Sequence, residues 1–154
     1  MVFVMSEIRK YVALLEFEEN QLLEASKRKE AIKALNNYSY LISLHIAKCI
    51  YLPDYSSYDH WLHEIVAFTN NATKKAQKIS LSYDVIFEEI SRDVLSLDMR
   101  NKMVFTIHDE YDFVAIDLDD LYQSLHQSLK LISKNIASGN KLSYNTIKSI
   151  IEDL

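Results

Sequence analysis

The sequence predicts a mainly α fold, a single bundle of about five or six helices over residues 1–154, with room for one small β-hairpin near residues 103–116. Three observations lead there. Apolar residues recur three and four positions apart along most of the chain, which is the period of a helix face. One Gly and one Pro in 154 residues leave almost no turn punctuation for a β-sandwich, a barrel or a glycine-rich phosphate loop. A composition of 49% hydrophobic and 25% charged residues is that of a globular domain, and the length allows a core without disulfides or a structural metal.

From Ser6, read as an N-cap, to about Ala25, helical spacing links Ile8, Tyr11, Val12, Leu15, Leu22 and Leu23, with Glu16, Glu18, Glu19 and Glu24 between them. The basic stretch Lys27, Arg28 and Lys29 leads into Ile32, Leu35, Tyr38, Leu41, Ile42, His45, Ile46 and Cys49, a second helix or a continuation of the first. Pro53 disfavours helix at the residue before it, so this helix stops near Tyr51. Asp59 is read as the cap of a third helix with Trp61, Ile65, Phe68, Ala72, Ala76 and Ile79 on one stripe, and Lys74, Lys75 and Lys78 near its end. Ser82 caps a fourth that carries Val85, Ile86, Ile90, Val94 and Leu97.

Met103–Ile107 and Phe113–Ile116 are short, apolar and rich in β-branched and aromatic residues, and read equally as hairpin strands or as continued helix. Helical spacing returns with Leu118, Leu121, Tyr122, Leu125, Leu129, Ile132 and Ile136 and stops at Gly139. Ser143 caps a terminal helix that buries Ile147, Ile150, Ile151 and Leu154. The run His45, Lys48, Tyr51, Pro53, Trp61 and Ile65 resembles a helix-loop-helix of small bacterial helical domains of unknown function, and the resemblance carries no functional residue across.

Against 17 basic residues stand 22 acidic ones, the wrong sign for coating nucleic acid or anionic lipid. The excess is local: residues 108–120 hold Asp109, Glu110, Asp112, Asp117, Asp119 and Asp120 with no Lys or Arg. The single Cys49 fits a reducing compartment. The apolar start MVFVM lacks a basic flank and the length of a signal peptide, and no run reaches the roughly 18 apolar residues of a membrane span, so a cytoplasmic location is expected.

Candidate chemistry is sparse. His60, His63 and Glu64 stand three and four apart on one helix and are the least unlikely metal ligands, although a surface role weighs more. Cys49 with His45 one turn earlier is outweighed by a small apolar core role, since Cys49 lies among Ile46, Ile50 and Tyr51 near a helix end. Arg100 and His108, a pair that could serve a helical nuclease, lie about two turns apart. His126 reads as a half-buried packing residue. The adjacent pairs Glu18–Glu19, Glu88–Glu89 and Asp119–Asp120 diverge on a helix and read as solvated faces.

The acidic segment is distinct because its charges sit beside Tyr111, Phe113 and Tyr122, the mixture a protein interface uses. Tyr38, Tyr40, Tyr51, Tyr55 and Tyr58 gather around the Pro53 loop near Trp61, with Lys48 opposed by Asp54 and Asp59, a balance that argues against base stacking. The leading expectation is a non-enzymatic interaction protein, without cofactor, that presents Asp109, Glu110, Tyr111, Asp112, Asp117, Asp119, Asp120, Tyr55 and Tyr58 to a basic, toxin-like protein as an immunity protein or antitoxin does. The alternatives are a helical-bundle hydrolase or nuclease, metal-dependent through His60, His63 and Glu64 or metal-free, and a self-associating bundle such as a homodimer. Direct nucleic-acid or membrane binding is not expected.

Overall fold

A computed structural model describes residues 2–154, with side chains from residue 5, so most of the apolar start MVFVM lies outside the described side chains. Six helices follow one another: α1 (Val2–Tyr51), α2 (Tyr58–Gln77), α3 (Tyr83–Ser91), α4 (Leu97–Glu110), α5 (Leu118–Ser138) and α6 (Tyr144–Glu152). The mainly α bundle matches the expectation, and no strand occurs among the described residues.

The first two expected helices are one. No Gly or Pro precedes Pro53, and residues 18–35 are rich in Glu, Leu, Lys, Ala and Arg, all strong helix formers, so nothing interrupts a helix of about 75 Å. Ser6 therefore lies inside α1 and is not its cap. The stop near Tyr51 is as expected. From Ala31 onward α1 buries Ala31, Leu35, Ile42, Ile46, Ala47 and Cys49, and this half is the spine on which the bundle is built. Residues 5–30 are exposed throughout, so Ile8, Tyr11, Val12, Leu15, Leu22 and Leu23 cover no core of their own chain.

The hairpin reading is overturned by α4. Met103 and Ile107, four apart, are fully buried, while Phe105 between them is 76% exposed. A strand would have put all three on one face; a helix separates them. The fourth helix also ends sooner than its apolar spacing suggests. Ser91 closes α3, and Ser96 starts α4 by accepting the Met99 N–H at 3.2 Å. Asp59 does not cap α2; Ser57 holds that place without a side-chain bond, and Asp59 accepts the Tyr144 hydroxyl from α6 instead.

The caps at Ser82 and Ser143 form as expected, each accepting a backbone N–H three residues on, from Val85 and Thr146. In α6, Ile147 and Ile151 are buried, Ile150 is half-buried and Leu154 is exposed. Gly139 ends α5 in the left-handed region at φ 76°. The Gln77 side-chain amide donates to the Gly139 carbonyl and ties the end of α2 to this turn. A Cβ at residue 139 would stand 2.7 Å from Gln77 Nε2. Gly139→Ala should therefore cost about 1–2 kcal/mol from the backbone conformation alone, which at this chain length lowers the melting temperature by several degrees; an unchanged melting curve would contradict the tie.

A candidate interaction site of aromatic and acidic residues

Two connecting loops meet at the candidate site. After Tyr51, the Leu52 N–H donates to the Lys48 carbonyl at 2.9 Å, and successive turns bond Tyr55 to Leu52 and Tyr58 to Tyr55. At the end of α4, the Tyr111 N–H donates to the Ile107 carbonyl at 2.8 Å, and the Val114 N–H to the Tyr111 carbonyl at 3.3 Å. The His108 ring, through Nε2–H, donates to the Val114 carbonyl at 2.6 Å and holds this second loop folded back.

The turns bring four rings together. Tyr55 meets Tyr111 edge to face at 4.9 Å and stacks on Phe113 at 6.0 Å, while Trp61 of α2 meets Tyr111 edge to face at 6.1 Å. Trp61 is buried at the base, Tyr111 is half-buried, and Phe113 at the rim is 65% exposed. Such pairs each contribute about 0.5–1.5 kcal/mol beyond the area they bury, enough to order a loop against a bundle. Burial raises the Tyr111 phenol above its usual pKa, with Glu110 and then Tyr55 adding to the effect. Asp54 and Asp112 on the two loops and Asp109 and Glu110 in the last turn of α4 are exposed, and none of them makes an ion pair with a described residue. The Lys48 Nζ lies 5.8 Å from the Trp61 ring centroid.

Of the expected contact residues, Tyr55, Tyr111 and Asp112 lie on the two loops, and Asp109 and Glu110 in the last turn of α4 that leads into the second. Asp117, Asp119 and Asp120 stand at the start of α5, where Asp120 and then Asp117 add to burial in raising the Tyr51 phenol above its usual pKa. The Asp117 carboxylate caps α5, accepting the N–H groups of Asp119 and Asp120 at 2.9 Å each, and the two following acids occupy the first turn, where the helix dipole favours negative charge. Tyr58 makes none of the ring contacts of the cluster; it lines a groove with Cys49, Glu152 and Leu154, and its phenol is pushed up to about 12, mainly by burial. Asp54 and Phe113 were not among the expected contacts. Only the fold back of residues 111–114 reveals them, since Asp54 is 59 positions from Phe113 in sequence.

The other constellations have structural work to do. His60 Nε2 stands 3.7 Å from Glu64 Oε1 on the surface, whereas His63 stacks on Tyr144 at 4.8 Å, so the three expected ligands do not converge, and no metal-binding group occurs among the described residues. Arg100 donates to the carbonyls of Leu95 and Leu118 and lies over the Tyr122 ring, fastening α4 to the start of α5. With His108 bonded to Val114, both members of that pair hold backbone carbonyls of the chain. His126 packs between Tyr122 and Phe87, half-buried as expected. The Glu88–Glu89 pair departs from a solvated face: Arg92 bonds both, and Glu89 is buried against α1, where Asn36 with its amide nitrogen turned inward donates to the Glu89 carbonyl.

Cys49 is buried, and burial pushes its thiol up to about 12. The nucleophilic thiolate is therefore absent near neutral pH. His45 donates through Nδ1–H to the Leu41 carbonyl at 2.7 Å and meets Phe68 edge to face at 5.6 Å. Burial dominates in lowering the His45 pKa below 6.5, with the Leu41 bond opposing it and Lys48 assisting.

Two outcomes follow from these environments. A disulfide reagent at pH 8 should leave Cys49 unmodified in the folded chain and label it in denaturant; fast labelling of the native chain would show the thiol to be accessible. Acidification from pH 7 to 5 should lower the melting temperature, because the unfolded chain takes up the imidazole proton near pH 6.5 while the folded chain binds it only at lower pH. Replacing His45 by Gln should shrink that loss, and an equal loss in both proteins would remove His45 as its source. No family model matches the chain, and no curated protein or solved structure matches it either.

Proposed function

We propose that the chain is a non-enzymatic interaction protein that docks a basic protein partner on the face made by residues 52–55 and 109–113. The single observation that carries this reading is Phe113, 65% exposed at the rim of a ring cluster whose Tyr55, Tyr111 and Phe113 are flanked in sequence by Asp54, Asp109, Glu110 and Asp112, acids with no ion-pair partner among the described residues. An exposed ring already held between Tyr55 and the half-buried Tyr111 loses little conformational freedom on binding, and carboxylates without an ion-pair partner near it in sequence steer a cationic surface toward contact. Of the partners such a face suits, a nuclease-like toxin is the specific version proposed. Its phosphate-binding cleft is basic by necessity, and an acidic plug in the manner of an immunity protein or antitoxin would occlude it.

The test is capture from the cells of origin with tagged wild-type chain and with two variants, Phe113→Ala and the triple substitution Asp109→Asn, Glu110→Gln, Asp112→Asn. A stoichiometric basic protein should elute from the wild type at high salt, should bind the triple variant more slowly and with a weaker salt dependence, and should dissociate faster from Phe113→Ala. Losing one central aromatic anchor costs about 2 kcal/mol or more at an interface, a thirtyfold change in affinity. Equal capture by all three proteins would sink the proposed face.

A further inference from the structure

Beside the Pro53 turn, α1, α2, α5 and α6 border an open groove. Burial of Ile147 and Ile151 seats α6 against the bundle, and the bond from the Tyr144 hydroxyl to Asp59 ties its start to the first turn of α2. Glu152 follows Ile151 by one position, about 100° round the helix, so the packing that buries the isoleucine sets the carboxylate at the edge of the core. The turn after Tyr51 brings Tyr58, the first residue of α2, to the same groove, and α5 contributes Ser124. The groove measures about 340 Å³, within the range of small-molecule sites, and Ile50, Pro53 and Ile151 give it an apolar lining.

Its three polar groups are uncommitted. Among the described residues, neither the Tyr58 hydroxyl nor the Ser124 hydroxyl hydrogen-bonds to another group, and Glu152 makes no ion pair. Lys148, one turn before Glu152 on α6, is drawn elsewhere, with its Nζ 5.9 Å from the Tyr144 ring centroid. Burial first, and then Cys49, Glu152, Tyr144 and Asp59, all push the Tyr58 phenol up, and no cation opposes them. The field in the groove is therefore one-sided and negative, which repels phosphates and carboxylates and attracts a cation. We infer that the groove binds a small organic cation, a primary ammonium on an apolar stem, with the Glu152 carboxylate as its counter-ion, the Tyr58 and Ser124 oxygens as further acceptors, and the stem along Ile50, Pro53 and Ile151. An ammonium donates three N–H bonds and accepts none, so it suits acceptors that have no donor of their own to satisfy them. A neutral alcohol of the same length fills the apolar part and leaves the carboxylate without a counter-ion. Phe113 and the acids of residues 109–112 do not line this groove, so the inference stands apart from the docking face.

Amide chemical shifts of the full chain during titration with n-pentylamine at neutral pH test the site, with 1-pentanol and pentanoate as probes of the same length. Pentylamine should move the amides of Tyr58, Ser124, Ile151 and Glu152 and saturate with a Kd on the order of 1 mM, as expected of so small a ligand. Pentanol should bind at least roughly tenfold more weakly, because it lacks the charge-assisted bond, and pentanoate should not bind. Glu152→Gln replaces an exposed side chain by its isostere, so its melting curve should match the wild type while pentylamine loses roughly tenfold in affinity and its advantage over pentanol. Shifts that do not saturate, equal binding of pentanol, or undiminished binding by Glu152→Gln overturns the inference. Shifts confined to residues 109–113 overturn it too, since they would place the amine on the acidic face. The triple substitution at Asp109, Glu110 and Asp112 should leave the titration unchanged, so that failure of the docking face and failure of the groove are read separately.

Discussion

Packing of one face of α1, through Leu35, Ile42, Ile46 and Cys49, is the contact on which the rest of the bundle depends. Every other helix touches α1, and α2 lies along it most extensively. A central helix of this kind concentrates risk: truncating one of these leucine or isoleucine side chains opens a cavity shared by several neighbours, at a cost of about 2–5 kcal/mol, a large fraction of a domain's whole stability. It also explains why the first half of the same helix can be surface. The segment from Ala31 anchors it by burial, and helix propensity then carries the backbone outward without further tertiary support.

What the sequence made legible was mostly local chemistry. Pro53, Ser82, Gly139 and Ser143 act through bonds within a few residues of themselves, and each sits where its chemistry placed it. Asp117 and Ser96 carried the same kind of signal, but the charge of one and the apolar neighbours of the other drew attention away from it. The hairpin was a different failure. Met103, Phe105 and Ile107 are consistent with either period over five residues, and only the exposure of Phe105 between two buried neighbours decides. Least legible was the exposed first half of α1, because periodicity tells which face of a helix is apolar and says nothing about whether the chain covers it.

The candidate site shows the same division. That acids and aromatics were dense around residues 109–113 could be read directly; that Tyr55 and Asp54 join them depends on two loops distant in sequence meeting over Trp61. At residues 117–120 the acids have a local role as well. There the Asp117 carboxylate accepts the N–H groups of Asp119 and Asp120, and those two residues set negative charge at the positive end of the helix dipole whether or not a partner exists. Acidic density is therefore two features: Asp117 caps a helix whose first turn Asp119 and Asp120 occupy, while Asp109, Glu110 and Asp112 have no such backbone role and no ion-pair partner among the described residues.

Trp61 is the only tryptophan in the chain, it is 4% exposed, and it lies beneath Tyr111 and Lys48 at the root of the two loops. The molecule thus contains its own optical probe. Indole emission will register any displacement of the Tyr111 loop or loss of the core beneath it. The exposed residues 5–30 end well before this ring, so events there are silent in the same signal. One spectrum separates what happens at the loops from what happens along the first thirty residues of α1, without a label and without altering a residue.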